Sequence, residues 1–322
     1  MSLDTITSPI KIQLESVNDV IKRSLSSDIP IINQISSHII SSGGKRMRPI
    51  LHLLISGMDG EIKEVNHKIA AIIEFIHTAT LLHDDVVDQS AKRRNIQTAN
   101  ALFGNAASVL VGDFIYSRSF QMMVAIDDMK IMNILSNTTN AISEGEVLQL
   151  LNSHNPDVSE EQYFKVIQFK TAKLFEACGS LAGIANNNSS EKINSYARLG
   201  FHFGIIFQLI DDILDYSGNA SQIGKNLGDD LSEGKITLPL IYAMKDSTKS
   251  QRKLINEAIK VGDISKLPDI ISIIEDTKSI SKVQIKSEEQ LNKIKMVLDK
   301  LPDNDYKKTI KELAEYCVAR KN

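Results

Sequence analysis

Two aspartate clusters are the groups in this chain best suited to do chemistry. They occupy residues 84–88 and 211–215, and each has Asp at its first, second and fifth positions. On an α-helix the first and fifth positions share one face, about 6 Å apart along the axis. Such carboxylates repel one another unless a cation compensates, and hard oxygen ligands suit Mg²⁺ together with substrate phosphate. Two such clusters predict two walls of one cavity; the alternative is two acidic helix ends in an ordinary bundle.

Basic residues occur where a phosphate-binding site would need them. The segment 43–49, Gly-Gly-Lys-Arg-Met-Arg-Pro, places three cations at a predicted helix start, which attracts anions. Lys45 and Arg48 are three residues apart and are expected to share a helical face. Arg93 and Arg94 follow the first aspartate cluster and could bind phosphate in a bidentate manner. The alternatives are a solvated basic turn at 43–49 and ion pairs between these arginines and the nearby aspartates.

Further polar side chains lie in apolar helical surroundings. His77 precedes the first cluster by seven residues, nearly two turns, and so faces the same side; a core histidine is the competing interpretation. Lys170 and Thr171 have apolar neighbours, and a cation there needs a partner. Gln208 lies three residues before the second cluster and shares its helical face. Lys225 follows that cluster in a polar loop and could equally be a surface lysine.

The elements that hold these residues are predicted to be helices almost throughout, because apolar residues recur at spacings of three and four. The run from about 65 to 89 is apolar on nearly all faces and is expected to be central. A capping box of Ser159 and Gln162 opens a helix that Gly179 is expected to end. Gly200 lies inside a later long helix and predicts a close helix approach. Other helices are predicted at about 10–25 and 31–41, from near 45–49 to about 58, and at about 101–125, 129–151 and 190–216.

Composition excludes several classes of function for this chain of 322 residues. The 37 Lys and Arg nearly balance the 40 Asp and Glu, without the basic patch typical of nucleic-acid binding. Cys178 and Cys317 offer no disulfide framework and suit a reducing compartment. We expect no secretory signal, and no apolar run long enough to span a bilayer. The prediction is one all-α domain over residues 1–322, located in the cytoplasm.

The ordered motifs resemble those of the trans-prenyltransferases, the head-to-tail isoprenyl diphosphate synthases. The similarity extends from residue 43 to about 243. It comprises Gly-Gly-Lys-Arg-Met-Arg-Pro, the first Asp-Asp-x-x-Asp with Arg93-Arg94, Lys170-Thr171, Phe207-Gln208 with the second Asp-Asp-x-x-Asp, Gly224-Lys225 and Gly234-Lys235. Residues 74–83 and 224–239 look most like the long-chain, octaprenyl-forming branch. Asn95, where a glycine is usual, and Gln97 and Ile236, where proline is frequent, depart from the pattern and affect loop stiffness more than chemistry.

The resemblance implies a bundle of antiparallel helices around a deep cavity, usually a homodimer, with about three Mg²⁺ per active site. It implies that Asp84 and Asp88 bind two Mg²⁺ and that Asp211 binds a third. The remaining implied roles are allylic diphosphate binding by Arg93, Lys170 and Lys225, isopentenyl diphosphate binding by Lys45, Arg48, His77 and Arg94, and contact with the developing allylic cation by Thr171 and Gln208. No nucleic-acid partner and at most peripheral membrane contact are expected.

Product length is predicted from the helix that carries the first cluster. Residues four and five positions before Asp84 lie about 6–7.5 Å deeper along the cavity wall, and here they are the small Thr80 and Ala79. The product chain is therefore expected to grow past them, towards a floor at Met123 and Leu135. The alternative is that these two are ordinary core residues.

The alternatives to a long-chain synthase that supplies quinone side chains are a terpene cyclase, a non-catalytic subunit and a shorter-chain synthase. A class I terpene cyclase takes one diphosphate, does not need the cations of 43–49 and usually lacks a second Asp-Asp-x-x-Asp. A non-catalytic subunit of a heteromeric synthase tends to lose aspartates, and none is missing here. A shorter-chain synthase of the geranylgeranyl or farnesyl type also remains open.

Overall fold

The computed structural model describes residues 2–41, 43–93, 96–217 and 227–320, and their backbone is almost entirely helical. The all-α prediction is therefore confirmed. Within these ranges the sole strands are β1, Lys92–Arg93, and β2, Ile96–Gln97, which pair antiparallel. This short ribbon directly follows the first aspartate cluster and was not predicted, because two residues per strand leave no readable period.

The helices lie close to the predicted ranges. In chain order they are α1 Leu3–Thr7, α2 Lys11–Ser24, α3 Pro30–Ser41, α4 Met47–Gly57, α5 Glu64–Val87, α6 Ala99–Phe103, α7 Asn105–Ile126, α8 Met129–Asn152, α9 Glu160–Ile167, α10 Lys173–Ala185, α11 Ser190–Ser217, α12 Asp229–Ser232, α13 Leu238–Asp246, α14 Lys249–Val261, α15 Leu267–Asp276, α16 Ser279–Leu298 and α17 Asp305–Ala319. Short 3₁₀ turns span Ser8–Ile10 and Ile264–Lys266, and a π-helical turn, Gln168–Ala172, joins α9 to α10.

Local signals explain several of these boundaries. The Ser159 side chain accepts from the Gln162 N–H, and the Gln162 side chain accepts from the Ser159 N–H, which confirms the capping box at α9. Gly262 adopts φ +64° at the C-terminus of α14, where the left-handed conformation favours glycine. A Cβ at Gly200 would collide with the carbonyl oxygen of Phe175, so the predicted close helix approach is confirmed.

Two predicted boundaries and one predicted helical face are wrong. Gly179 does not end a helix but lies within α10, where a Cβ would collide with the Tyr196 carbonyl. The helix predicted at 101–125 is divided into α6 and α7 by Gly104, at φ +86°. Helix α4 begins at Met47, within the predicted range 45–49, but it follows Arg46 at φ +49°, so Lys45 precedes the helix. Lys45 and Arg48 therefore do not share a helical face as predicted.

The chain divides into two compact units. Unit 1 contains residues 1–139, 174–200 and 298–313. Its helix α5 packs against α2, α4 and α7 and buries apolar residues along most of its length. The prediction that this helix is central therefore holds for unit 1.

Unit 2 contains residues 140–173, 201–297 and 314–322. In it α13 packs against α9, α14 and α15, and α12 packs against α14. The part of α11 that belongs to this unit buries Ile206 and Leu209 completely. The prediction of one domain over residues 1–322 stays a prediction.

By length and composition, one helix in the described part of the chain, α7, could span a membrane. This corrects the expectation that no apolar run approaches that length. Asp113 and Arg118 interrupt the helix, and one of its sides packs against α5. Its outward side carries Leu110 and Val124, which are 66% and 63% exposed. Helix α7 thus has one apolar face packed against α5 and a second apolar face that is exposed. An exposed apolar patch of this kind also marks surfaces that bind another protein.

Candidate active site

Both aspartate clusters lie at the C-terminal ends of long helices. Asp84 is in the last turn of α5, Asp88 is the residue that caps it, and 211–215 falls in the last two turns of α11. A helix C-terminus carries partial negative charge, so each carboxylate there is unfavourable by about 0.3–1 kcal/mol unless a cation is near. Asp84, Asp88 and Asp211 are half-buried. Their placement against the dipole favours cation binding at both helix ends.

The middle carboxylate of the first cluster is neutralised by an arginine. Asp85 is 1% exposed, and its Oδ1 accepts from Arg93 Nε at 2.9 Å and Nη2 at 2.7 Å. Burial raises the pKa of Asp85 although Arg93 opposes that shift. Burial opposes the charge on Arg93, but the Asp85 carboxylate outweighs it and raises the pKa of the guanidinium. This is the ion pairing that the sequence left open as an alternative for Arg93.

The backbone around Asp85 fixes the ribbon that carries Arg93. The Asp85 carbonyl accepts from Asn100 Nδ2 and from the Ser90 N–H, both at 3.0 Å. The Thr98 hydroxyl donates to the Ser90 carbonyl at 2.7 Å. These hydrogen bonds fix the path of the backbone from the first cluster to the ribbon. Arg94 and Asn95 lie outside the described residues.

The cations of 43–49 have different environments, all within unit 1. Lys45 is exposed, whereas Arg48 is 8% exposed with its guanidinium 4.5 Å from the centre of the Phe175 ring. Arg46 forms an ion pair with the buried Glu74. His77 is half-buried on α5. Of the sequence-predicted cations in this segment, Arg48 thus has its guanidinium over an aromatic ring, an arrangement that cation–π attraction stabilises.

The second cluster engages its partners in another way. Asp211 Oδ1 accepts from Arg320 Nη2 at 3.2 Å, and the Arg320 guanidinium lies 5.5 Å from the Phe207 ring centre. Asp215 is 7% exposed, and its Oδ2 accepts from the Asp230 N–H at 3.3 Å. In the described part of the chain, Arg320 therefore pairs with the outer aspartate of this cluster and not with its middle one.

Asp212, the middle carboxylate, belongs to a chain of four hydrogen-bonded side chains. Its Oδ2 accepts from the Tyr163 hydroxyl at 2.5 Å and its Oδ1 from Gln208 Nε2 at 2.8 Å. The Gln208 Oε1 in turn accepts from the Thr171 hydroxyl at 2.8 Å. Burial, and then the nearby Asp230 charge, raise the pKa of Asp212, while Tyr163 and Gln208 oppose that shift. Thr171 and Gln208, both predicted from sequence, are thus brought into contact within unit 2.

Lys170 lies in the π-helical turn, a feature that often marks functional sites. Its Nζ is 2.5 Å from Glu146 Oε2, which supplies the partner that a half-buried cation needs. A Cβ at Gly145 would lie 2.6 Å from the backbone nitrogen of Lys170, so glycine lets α8 approach this turn. Lys225 lies outside the described residues, and Lys235 pairs with Glu233 at 2.6 Å.

The predicted chain-length residues all belong to unit 1. Ala79 is 1% exposed, and the Thr80 hydroxyl donates to the His77 carbonyl at 2.8 Å. Met123 on α7 and Leu135 on α8 are buried, 1% and 0% exposed. Burial agrees equally with a cavity floor and with ordinary core packing, so the role of these residues in product length stays a prediction.

Sequence reasoning missed four partners that the fold brings to the predicted residues: Glu146, Tyr163, Phe175 and Arg320. Arg320 is 109 residues from Asp211, and Tyr163 is 49 residues from Asp212. A signal was available only for Glu146, because the Gly145-Glu146 pair inside a helix indicates a close approach beside a charge. The others depend on tertiary contacts.

The described side chains suit a metal that is shared with its substrate. No group of three or more His, Cys, Asp or Glu in the described ranges forms a complete metal site. Mg²⁺ does not require one, because it is usually bound by one or two carboxylates together with substrate phosphates. The half-buried outer aspartates at two helix C-termini fit that donor set.

Comparison with known proteins agrees with this site. A family model described as polyprenyl synthetase matches residues 29–276. The chain is 44% identical over 321 residues to octaprenyl diphosphate synthase from Escherichia coli (strain K12), with 99% of each chain covered. It is 40% identical over 317 residues to the all-trans-nonaprenyl-diphosphate synthase (geranyl-diphosphate specific) of Rhodobacter capsulatus, with 98% of this chain and 97% of the relative covered.

A solved structure is also similar over the whole length of this chain. The polyprenyl synthase from Caulobacter crescentus CB15, complexed with calcium and isoprenyl diphosphate, matches with a TM-score of 0.96 and 36% identity. The match covers 100% of this chain and 98% of that one. That relative therefore holds a divalent cation together with a diphosphate. On the family match and on full-length identities of 40% and 44%, this chain belongs to the polyprenyl synthetase family, whose members are prenyltransferases.

Proposed function

We propose that this protein condenses isopentenyl diphosphate with an allylic diphosphate and extends it to a long all-trans polyprenyl diphosphate, octaprenyl (about C40) in particular. The observation that carries the proposal is the pair of aspartate clusters at helix C-termini, in a chain 44% identical over its length to an octaprenyl diphosphate synthase. A purely structural bundle would not gather carboxylates at the negative ends of two helices.

Mg²⁺, about three per active site, is the proposed cofactor, with Asp84, Asp88 and Asp211 as its protein ligands. When bound, it supplies positive charge where diphosphate departs and negative charge accumulates. The carboxylates hold the metal by charge and hydrogen-bond their remaining lone pairs to water or protein. Arg93 and Arg320 already provide cations beside both clusters.

The other residues bind and orient the two substrates. The allylic diphosphate is held by Arg93, Lys170 and Lys225, and isopentenyl diphosphate by Lys45, Arg48, His77 and Arg94. Thr171 and Gln208 present oxygen atoms to the developing allylic cation and so stabilise it electrostatically. The double bond of isopentenyl diphosphate then attacks the cation, and a proton leaves to the departed diphosphate, so that no side chain need act as the base. Apolar walls exclude the water that would quench the cation.

The proposed product is long because Ala79 and Thr80 are small, and because the E. coli and R. capsulatus relatives are octaprenyl and nonaprenyl synthases. A shorter-chain synthase and a non-catalytic subunit are the alternatives. The intact Asp84, Asp88 and Asp211 favour catalysis over the subunit role.

The proposal extends to assembly and location. Leu110 and Val124 make an exposed apolar face on α7 that a second copy of the chain would cover, in a homodimer. The enzyme is proposed to be cytoplasmic, with at most peripheral membrane contact and no nucleic-acid partner, and to supply quinone side chains. Sedimentation of the purified protein tests the dimer: a single monomeric species at micromolar concentration would contradict it.

Product analysis tests the activity. Purified protein is incubated with isopentenyl diphosphate, farnesyl diphosphate and Mg²⁺, with an EDTA-treated sample as control, and the dephosphorylated products are separated by chromatography. We expect metal-dependent octaprenyl products. A folded protein that extends no substrate would favour the subunit role, and products ending at geranylgeranyl would favour the shorter-chain alternative.

A further inference from the structure

The hydrogen bonds of the Tyr163–Asp212–Gln208–Thr171 chain have a defined direction. A carboxylate oxygen accepts, so the Gln208 group facing Asp212 is its NH₂ and the group facing Thr171 is its carbonyl oxygen. The Thr171 hydroxyl donates to that oxygen, so its own lone pairs point away from Gln208. The orientation of both side chains is therefore set by Asp212.

Asp212 can set this orientation only if its own carboxylate cannot turn. It is 2% exposed, and the side-chain donors that hold it are Gln208 on the same helix and Tyr163 on α9. Tyr163 is 4% exposed, with its ring edge against Phe164 at 5.4 Å between centroids. The tyrosine thus reaches from a separate helix and fixes the oxygen of Asp212 that Gln208 does not contact.

We propose that Tyr163 is a positioning residue for the condensation: through Asp212 it holds the Gln208 and Thr171 oxygens in the orientation that stabilises the allylic cation. The inference rests on the proposed function. Tyr163 does not touch substrate; it acts through Asp212, so its loss lowers the rate of the chemical step and leaves substrate affinity unchanged. Displacements of about 1 Å in such groups can lower rates by as much as about a hundredfold.

A second tyrosine provides a matched control. Tyr242 is 7% exposed, and its hydroxyl donates to Glu160 Oε1 at 3.0 Å. It belongs to the same unit and also bonds a carboxylate, but Glu160 is in the first turn of α9 and has no contact with the second aspartate cluster in the described residues. Y163F and Y242F each remove one hydroxyl and keep the ring, so they differ in which carboxylate loses its donor.

The test is single-turnover condensation and steady-state kinetics of wild type, Y163F, Y242F, D212N and the double variant Y163F/D212N. We expect Y163F to lower the single-turnover rate about tenfold, with KM for both diphosphates within twofold of wild type. Y242F should keep the wild-type rate, and its melting temperature should fall by no more than that of Y163F, because the Glu160 side chain is 39% exposed. D212N should lose at least as much rate as Y163F, and the double variant no more than D212N, because both changes act through one carboxylate.

Several outcomes overturn the inference. A Y163F rate within twofold of wild type does so, as does an equal loss in Y242F or a loss confined to KM. Multiplying losses in the double variant also contradict it. If circular dichroism finds Y163F unfolded, D212N decides, and a wild-type rate in that variant overturns the inference. A folded wild-type protein without condensation activity instead overturns the proposed function itself.

Discussion

The two aspartate clusters have the same five-residue pattern at the same end of a helix, yet they hold their charges in different ways. In the first, the buried middle aspartate Asp85 pairs with Arg93. In the second, the buried middle aspartate Asp212 is held by the neutral donors Tyr163 and Gln208, and the cation Arg320 pairs with the outer Asp211. The same Asp-Asp-x-x-Asp pattern therefore occurs with two different arrangements of charged and neutral partners.

The difference separates two tasks. Neutralising Asp85 leaves the charge of the first cluster on Asp84 and Asp88, which suits metal binding by both outer carboxylates. In the second cluster Asp215 is buried against the Asp230 N–H, which leaves Asp211 as the outer carboxylate suited to metal. The neutral donors at Asp212 suit a different task, which is to orient the side-chain amide of Gln208.

The largest expected effect is loss of activity in D84N and D88N. Each removes a charge from a proposed metal ligand, and several kcal/mol of transition-state stabilisation correspond to a fall in kcat/KM of at least about a hundredfold. D211N should fall similarly and D215N much less, while D19N, at an exposed aspartate on α2, is the control. Condensation assays with melting curves measure this. A fall in kcat/KM in D215N equal to that in D88N would contradict the proposed difference between the clusters.

The next effect is on stability. R93L leaves Asp85 buried without its cation and should lower the free energy of unfolding by about 3–5 kcal/mol. Y163F removes one hydrogen bond from a neutral donor to the buried Asp212 and should lower the free energy of unfolding by about 1–3 kcal/mol. Urea unfolding measures both, with K253Q at the exposed Lys253–Glu257 pair as a control expected to change by less than about 1 kcal/mol. A larger cost for Y163F than for R93L would reverse the comparison.

The stability deficit of R93L should depend on pH. Burial raises the pKa of Asp85, so without Arg93 the folded state binds its proton at higher pH than the unfolded state does. The stability deficit of R93L is then fully present above the pKa of Asp85 in the folded variant, and it shrinks as the pH falls through that pKa. Unfolding measured from pH 8 to pH 5 tests this sign, and a deficit that grows on acidification is the contrary result.

An intermediate effect concerns the helix that leads into each cluster. The residues four and five positions before Asp84 are small, whereas those before Asp211 are Phe207 and Ile206. A79F should shorten the main product, because a bulky side chain there blocks the growing chain, and A79S should not. Chromatography of the products measures this. An unchanged product from folded A79F would remove Ala79 as a determinant of length.

The smallest expected effect is at Arg320. The Arg320 side chain is 9% exposed, but the Asp211 side chain that R320M leaves unpaired is 36% exposed and can be solvated, so R320M should cost less stability than R93L. Because Arg320 no longer competes for Asp211, Mn²⁺ should bind the substrate-free protein about fivefold more tightly, which corresponds to about 1 kcal/mol. Electron paramagnetic resonance titration measures this, with R320K as the charge-preserving control. Equal affinity in R320M and wild type would show that the pair does not compete with metal.

Sequence periodicity was sufficient to predict most of the helices, although not every boundary or face. The i, i+4 spacing of Asp84 and Asp88, and the apolar run before them, correctly predicted a helix central to its unit. The capping box at Ser159 was predicted for the same reason, because its bonds are local. The π-helical turn at Lys170, which lies against α8 at Gly145, was not predicted, since no local pattern in the sequence marks it.

Partner choice could not be predicted in the same way. Arg93 was placed near the first cluster, but whether it would pair with an aspartate depended on the ribbon that orients it. Arg320 and Tyr163 are distant in sequence from Asp211 and Asp212, and no local pattern links them. Gly179 was misread because a glycine that ends a helix and a glycine that admits a neighbouring backbone look alike in sequence.

The most direct test of the different roles of the two clusters is a crystal structure of the protein with Mn²⁺, isopentenyl diphosphate and an unreactive allylic thiodiphosphate, using anomalous scattering to locate the metal. We predict Mn²⁺ within about 2.0–2.3 Å of carboxylate oxygens of Asp84, Asp88 and Asp211, with Asp85 still bonded to Arg93 and Asp212 to Tyr163. Metal bound to Asp85 or Asp212, or absent from Asp84 and Asp88, would contradict this division of roles.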